Sequence, residues 1–315
     1  MGRFGGGTTG SRAVTDVAPG TTVAVSVPAT SGNLGAGFDC LGLALDFRDD
    51  YRARVVEKAG FQVETTGIGA DELPQDGTHL VAQSMNVALE KLGLRLPGVQ
   101  VLCRNRIPHS RGLGSSAAAI VGGVALAYAL GGDGEIHRAK VFQLAAELEG
   151  HPDNAAPAVF GGLTISWKEQ DSGPAQATSL TVADDISTVI FLPDAISPTT
   201  AARAALPKQV PLTDAVHNCA RSAMLVAALT GRPELLFEAT GDQIHQEARR
   251  QGYPAAMALV DELRSRQIAA AISGAGPGVI AFCQADQVDE LIDLAIEGYQ
   301  PRQASVGGGL TQLSN

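Results

Sequence analysis

Residues 108–119, PHSRGLGSSAAA, set two glycines and two serines directly ahead of an apolar run. Gly112 and Gly114 let the backbone turn tightly and present its N–H groups, and a helix beginning at Ser115 brings about half a unit of positive charge to its N-terminus. Such a cradle binds phosphate through backbone amides, with Ser115 or Ser116 adding a hydroxyl for the phosphate or for a magnesium ion. The plain alternative is a glycine-rich turn with a serine N-cap, but a cap uses one serine, not two serines and two glycines. Residues 112–117 also satisfy G-x-G-x-x-A, a form of the dinucleotide fingerprint. A Rossmann unit would then need a second parallel strand ending in an acid, whereas GGDGE at 131–135 leads into another helix. A Walker loop is excluded because no Gly-Lys-Ser/Thr follows.

Three further segments carry polar chemistry. Residues 28–39, PATSGNLGAGFD, follow a strand, and their glycines with Asn33 and Asp39 offer a polar rim to a small ligand; a long turn is the bland alternative. Residues 273–278, SGAGPG, suit close backbone approach, although alone they are a turn. Residues 147–154, ELEGHPDN, place Glu147 and Glu149 at a helix end with Asp153 and Asn154 beyond it. Glu149 suits magnesium, which takes oxygen ligands and few protein carboxylates, while Asp153 and Asn154 suit a substrate hydroxyl or ammonium group. The bland alternative is a helix stopped by Gly150 and Pro152 with solvated glutamates, and His151 beside its proline reads as structural.

These residues must be held by a sizeable scaffold. The chain has 315 residues, 45% of them apolar, enough for two domains with real cores. Its net charge of −10 disfavours nucleic acid and anionic lipid, and neither a membrane-length apolar run nor a secretory signal is present, which predicts a cytoplasmic protein with no nucleic-acid or membrane partner. The four cysteines, 40, 103, 219 and 283, lie far apart among apolar neighbours and read as buried free thiols. Residues 1–20 read as a disordered tail. Periodicity predicts strands over 22–27, 46–57, 61–66 and 99–104, and helices over 79–92, 115–130 and 136–148, the second apolar on every side and therefore buried. A strand at 163–167 precedes a polar tip at 168–174; then come a strand at 188–192, helices over 212–229 and 254–266, strands at 268–272 and 279–283, and a helix over 288–296. Short turns between neighbouring strands predict an α+β fold with largely antiparallel sheets and packed helices, divided near 165 into domains of residues 21–165 and 166–315.

The three glycine segments, in this order and spacing, resemble the motifs of the GHMP kinase superfamily of small-molecule kinases. The match runs over roughly residues 21–300. EGHPDNAAP at 149–157, TTAAR at 199–203 with Leu206 and Pro207, and DQIHQEAR at 242–249 are similar to the homoserine kinase branch in its Gram-positive and actinobacterial form. That resemblance implies a two-domain GHMP-kinase-like fold with an open substrate cleft between the domains. It also implies phosphorylation of the side-chain hydroxyl of L-homoserine by ATP with Mg2+, for threonine biosynthesis, by a homodimer. By position, Pro108, Arg111, Gly112, Leu113, Gly114, Ser115, Ser116, Ala117 and Ala118 would bind the nucleotide. Asn33, Asp39, Asn154, Arg203, Arg249 and Gly274 would bind homoserine, two arginines meeting its carboxylate and Asp39 its ammonium group. Ser116 and Glu149 would hold the metal, Glu147 being near enough for the alignment to slip. Asp153 would orient the hydroxyl, and Thr199 and Arg203 would complete the catalytic set. The pattern departs in two places: His79 stands where many members carry an adenine-contacting Asn, and Gly278 follows Pro277 where a Thr or Ser is usual. The competing readings are another GHMP kinase, such as a mevalonate-type enzyme, and a catalytically silent ligand-binding homologue.

Overall fold

A computed structural model describes residues 15–131, 136–170, 173–194, 205–294 and 296–314. The chain is α+β, as its patterning predicts. Strand β2 (Thr22–Gly32) pairs antiparallel with the long β3 (Leu41–Val56), and the register shifts between Pro28 and Ala29. The bulge lets a strand continue through a proline that would otherwise end it. Residues 28–32, expected on a loop, therefore belong to β2, and the loop begins at Asn33.

The second half of β3 pairs with β6 (Gly98–Asn105), which runs parallel to β4 (Gly60–Gly67). The first half of β3 pairs instead with β7 (Leu163–Lys168), itself hairpinned to β8 (Ala175–Leu180). At the far edge β13 (Thr311–Leu313) joins β2. The boundary expected at 165/166 falls inside β7, and sheet membership supports a division after Leu180, with the C-terminal residues returning to the first sheet. A second, wholly antiparallel sheet has the order β10 (Ala269–Ile272), β11 (Val279–Gln284), β9 (Ile186–Pro193), β12 (Tyr299–Gln303). The last strand, β12, was not legible from the sequence, and neither was β13.

Helices α2 (Ser115–Gly131), α3 (Arg138–Glu149) and α4 (Ala155–Phe160) pack on the first sheet, and α1 (Leu80–Leu92) packs on α2. Helix α2 is apolar on all sides because it is enclosed: Val121, Val124 and Leu126 have no exposed surface. Each such side chain contributes about 1.5–3 kcal/mol on burial, so the N-terminus of α2 is a rigid mount for the loop before it. Beyond lie α5 (Leu212–Gly231), the short α6 (Leu236–Ala239) and α7 (Gln246–Arg249), then α8 (Pro254–Ser265), which packs on β10 and β11, and α9 (Val288–Ile292). The helix expected over 288–296 stops at Ile292.

Two other expectations are corrected. Thr15–Asp16 forms β1, parallel to β5 (Leu94–Arg95), and Val17 packs on the core, so the tail does not reach residue 20; residues 1–14 lie outside the described residues. Cys103 and Cys283 are buried and Cys40 is half-buried, but Cys219 sits on the exposed side of α5. No described helix is long and apolar enough to cross a membrane.

Candidate active site

The three glycine segments are bonded to one another. Thr30 N–H donates to the Leu113 carbonyl at 3.0 Å, and Gly274 N–H donates to that of Gly32 at 3.1 Å. The buried Ser273 hydroxyl donates to the Gly112 carbonyl at 2.6 Å and meets the Ser31 hydroxyl at 2.8 Å. Gly112 and Gly114 have φ of +73° and +62°. A Cβ on Gly112 would strike the Ser273 carbonyl, and one on Gly114 would strike Thr30 Oγ1. Positive φ and close approach both demand glycine here.

The first bond of α2 runs from Ala118 N–H to the Gly114 carbonyl, so the N–H groups of Ser115, Ser116 and Ala117 lack intrahelical partners. Amides left open at a helix start can hold an anion, and Ser115 and Ser116 line an open cleft of about 740 Å³. Its lining includes Asn33, Asp39, Gly112, Leu113, Gly114, Ser115, Ser116, Glu149, His151, Asp153, Asn154, Arg249 and Gly274.

Four of the expected nucleotide residues do not direct their side chains into the cleft lining. Arg111 is tied to the end of β9, donating from Nε to the Pro193 carbonyl at 2.7 Å and from Nη2 to that of Asp194 at 3.1 Å. It braces the loop. Pro108 is buried, and the side chains of Ala117 and Ala118 face the core. Thr199 and Arg203 lie outside the described residues.

Ser116 meets one of the two glutamates. Ser116 Oγ donates to Glu149 Oε1 at 2.7 Å, while Glu147 points away to an exposed ion pair with Lys91 at 2.9 Å. Two residues apart on a helix is about 200°, so only one of the two glutamates can face the cleft. Burial raises the Glu149 pKa above the ordinary carboxylate range, and the Ser116 hydrogen bond and the nearby His151 counter it. Among the described residues no three His, Cys, Asp or Glu side chains gather to cage a metal. One hydroxyl and one carboxylate beside an amide cradle fit Mg2+, which keeps waters and phosphate oxygens in its shell.

Also in the cleft lining, Asp153 is buried, with His151 Nδ1 at 2.6 Å from Oδ1 and Asn154 Nδ2 donating to Oδ2 at 3.2 Å. The bond to Asp153 raises the His151 pKa, so the imidazole favours its charged form beside the carboxylate. Asn154 Oδ1 accepts from Thr30 Oγ1 at 2.8 Å. Asn33, in the left-handed region at φ +68°, donates to the Gly274 carbonyl at 2.7 Å and accepts from Asp39 N–H at 3.0 Å. Asn33 and Asn154 therefore tie the cleft's walls together as well as lining it. Sequence reasoning missed Thr30 and Ser273, whose signal was their place inside the glycine segments.

A second hollow, of about 540 Å³, shares Ser115 and Ser116 with the cleft and adds Asp49, His79, Asn105 and His109. His79 caps α1, its Nδ1 accepting from Val81 N–H at 3.2 Å, so the ring proton sits on Nε2. Burial lowers its pKa. That buried Nε2 and Asn105 Oδ1 have no hydrogen-bond partner among the described residues, a donor and an acceptor beside the phosphate cradle.

Comparison with known proteins accords with this geometry. Residues 79–162 match the GHMP kinases N terminal domain and residues 224–298 the GHMP kinases C terminal domain. The homoserine kinase of Streptomyces avermitilis is 47% identical, the alignment covering 90% of this chain and 93% of that one. That of Cutibacterium acnes is 44% identical over 92% and 98%. The crystal structure of homoserine kinase from Cytophaga hutchinsonii superposes with a TM-score of 0.81 at 27% identity, covering 93% of this chain and 97% of that one. With its glycine cradle, carboxylates and polar side chains in one cleft and both domain models matched, the chain belongs to the GHMP kinases, in the homoserine kinase family.

Proposed function

We propose that this protein transfers the γ-phosphoryl group of ATP to the side-chain hydroxyl of L-homoserine, giving O-phospho-L-homoserine and ADP for threonine biosynthesis. The reading is carried by one juxtaposition: the amides and hydroxyls at the start of α2 share a cleft with Asp39, Asp153, Asn154 and Arg249. A polyphosphate docked on the former faces an amino acid held by the latter.

In the reaction the hydroxyl oxygen forms a bond to the γ-phosphorus, the bond to the β–γ bridging oxygen breaks, and the hydroxyl proton departs. The transition state is loose, so positioning and charge stabilisation dominate over strong base catalysis. The Ser115, Ser116 and Ala117 amides cradle the phosphates. Ser116 and Glu149 are the residues that would hold Mg2+, which supplies charge neutralisation on the phosphate oxygens when bound. Asp153, fixed by His151 and Asn154, orients the hydroxyl and takes its proton as the bond forms. Arg249 binds the carboxylate, with Arg203 and Thr199 joining it by the family pattern, and Asp39 binds the ammonium group. The unpaired donor of His79 and acceptor of Asn105, both lining the second hollow, suit the edge of a purine. We further assign the active protein to the cytoplasm as a homodimer, on the family pattern.

The test is a coupled assay for ADP release. Homoserine, ATP and Mg2+ together should give turnover that vanishes when homoserine is omitted; no release with all three present overturns the assignment. Replacing Asp39 with Asn should depress turnover of homoserine far more than phosphorylation of a hydroxy acid lacking the amine. Equal effects point to a substrate without an ammonium group.

A further inference from the structure

His245 has no exposed surface and lies outside the cleft lining, yet it contacts a residue on which substrate recognition rests. Its Nδ1 is 2.9 Å from Arg249 Nη1, and its Nε2 is 2.7 Å from the Gly35 carbonyl oxygen. A guanidinium has only donors to offer, so Nδ1 must accept, and the ring proton must sit on Nε2 and be donated to Gly35. One imidazole thereby links the arginine of α7 to the loop after β2, across 210 residues of sequence between Gly35 and His245.

The ring has little freedom to do otherwise. Phe38 stacks on it with centroids 4.9 Å apart and an interplanar angle of 25°, and the Arg249 guanidinium lies 5.5 Å from the centre of the Phe38 ring. Beneath it the Asp242 carboxylate accepts the N–H groups of Ile244, His245 and Gln246 and the Asn218 amide, which fixes the backbone on which His245 stands. The Asp242 oxygen is 3.7 Å from Nε2, well beyond the Gly35 carbonyl. Gly35 also packs against the Thr240 carbonyl, so closely that a Cβ would collide with it.

The consequence concerns geometry between two recognition groups. The loop that carries Gly35 also carries Asn33 and Asp39, whereas Arg249 comes from α7. An α-amino acid presents its carboxylate and its ammonium on one carbon, so their receptors must keep a fixed separation. We propose that His245 is a positioning residue for substrate recognition: its imidazole braces Arg249 against the loop bearing Asp39 and so selects a substrate whose carboxylate and amine share one carbon. The inference rests on the reading of Arg249 as the carboxylate receptor.

The experiment compares L-homoserine with 3-aminopropan-1-ol, the same amino alcohol without its carboxylate, as phosphoryl acceptors. H245F keeps an aromatic ring against Phe38 but removes both hydrogen bonds. It should lower kcat/KM for homoserine by about tenfold or more, mainly through KM, because a hydrogen bond to a charged group is lost. The KM for ATP and kcat/KM for 3-aminopropan-1-ol should stay within about twofold, as neither involves Arg249. H245Q can donate to Gly35 and accept from Arg249 through one amide and should restore most of the loss. H245N is too short to span both partners and replaces H245F if that variant does not fold. Equal losses on both acceptors, a parallel rise in the KM for ATP, or unchanged homoserine kinetics would each overturn the proposal. R249A separates the two layers: if it leaves the preference for homoserine intact, the carboxylate reading falls and takes this inference with it. If R249A abolishes the preference and H245F does not alter it, the role of His245 alone is refuted.

Discussion

Ser116 and Glu149 make the clearest single-residue case, because a direct contact between them replaces an ambiguity of alignment. Ser116→Ala and Glu149→Gln should each lower kcat by about two orders of magnitude with the homoserine KM nearly constant, as expected for groups that act on the transferring phosphate. Glu147→Gln, which breaks only an exposed ion pair, should leave steady-state kinetics within experimental error. A large defect in the last variant, or a pure affinity effect in the first two, would reverse these assignments. His245 offers a thermodynamic counterpart. Burial, with Arg249 adding to it, lowers its pKa against the pull of Asp242 and Asp39. A base with a depressed folded pKa is neutral in the native state while the unfolded chain still takes up a proton near pH 6.5. Its contribution to stability is thus full above that pH and is lost as pH falls toward the folded value. Thermal unfolding of the wild type from pH 7.5 to 5.5 should show a steeper fall than that of His245→Gln; parallel curves would mean that the imidazole takes up its proton as readily in the fold as in the unfolded chain.

The glycine loops act as joints between elements, and their cost of change follows from what they touch. Gly112 lies at φ +73° against the Ser273 carbonyl, so Gly112→Ala must both strain the backbone and part the loop from the turn between β10 and β11. A destabilisation of about 1–3 kcal/mol is expected from the strain alone, with a raised KM for ATP as the cradle opens. Denaturant melts and nucleotide kinetics on the purified variant check both; wild-type values would show that the loops are not locked. The cradle and α2 were legible in the sequence because their signals are local: a φ that only glycine adopts readily, and an apolar run that only a buried helix satisfies. The bulge that carries β2 through Pro28 was not. Nor was the brace by Arg111, since its acceptors are carbonyls at the end of β9, about 80 residues on.

The molecule as a whole is closed by its ends. Thr15 and Val17 donate to the carbonyls of Gly93 and Arg95, and Gly20 donates to that of Val55. At the other end Arg48 reaches the carbonyls of Gly308 and Gly309, and Arg138 reaches that of Leu310. Deleting residues 1–20 should therefore lower the melting temperature, and ending the chain at Gln303, which removes β13 and uncovers these arginines, should do so more severely. Calorimetry or yield of folded protein decides: truncations that melt with the full chain would show that the ends are dispensable.

Residue types and short spacings were enough to read the glycine cradle and the helix start, because both are built within a few residues of chain, and the order of three such segments along the chain carried the resemblance to the kinase family. They could not choose between Glu147 and Glu149, see His245 bracing Arg249, or bring the C-terminal strand home to β2. Those outcomes depend on helix phase and on contacts between residues far apart in sequence, which exist only once the core has packed and set which side chains meet.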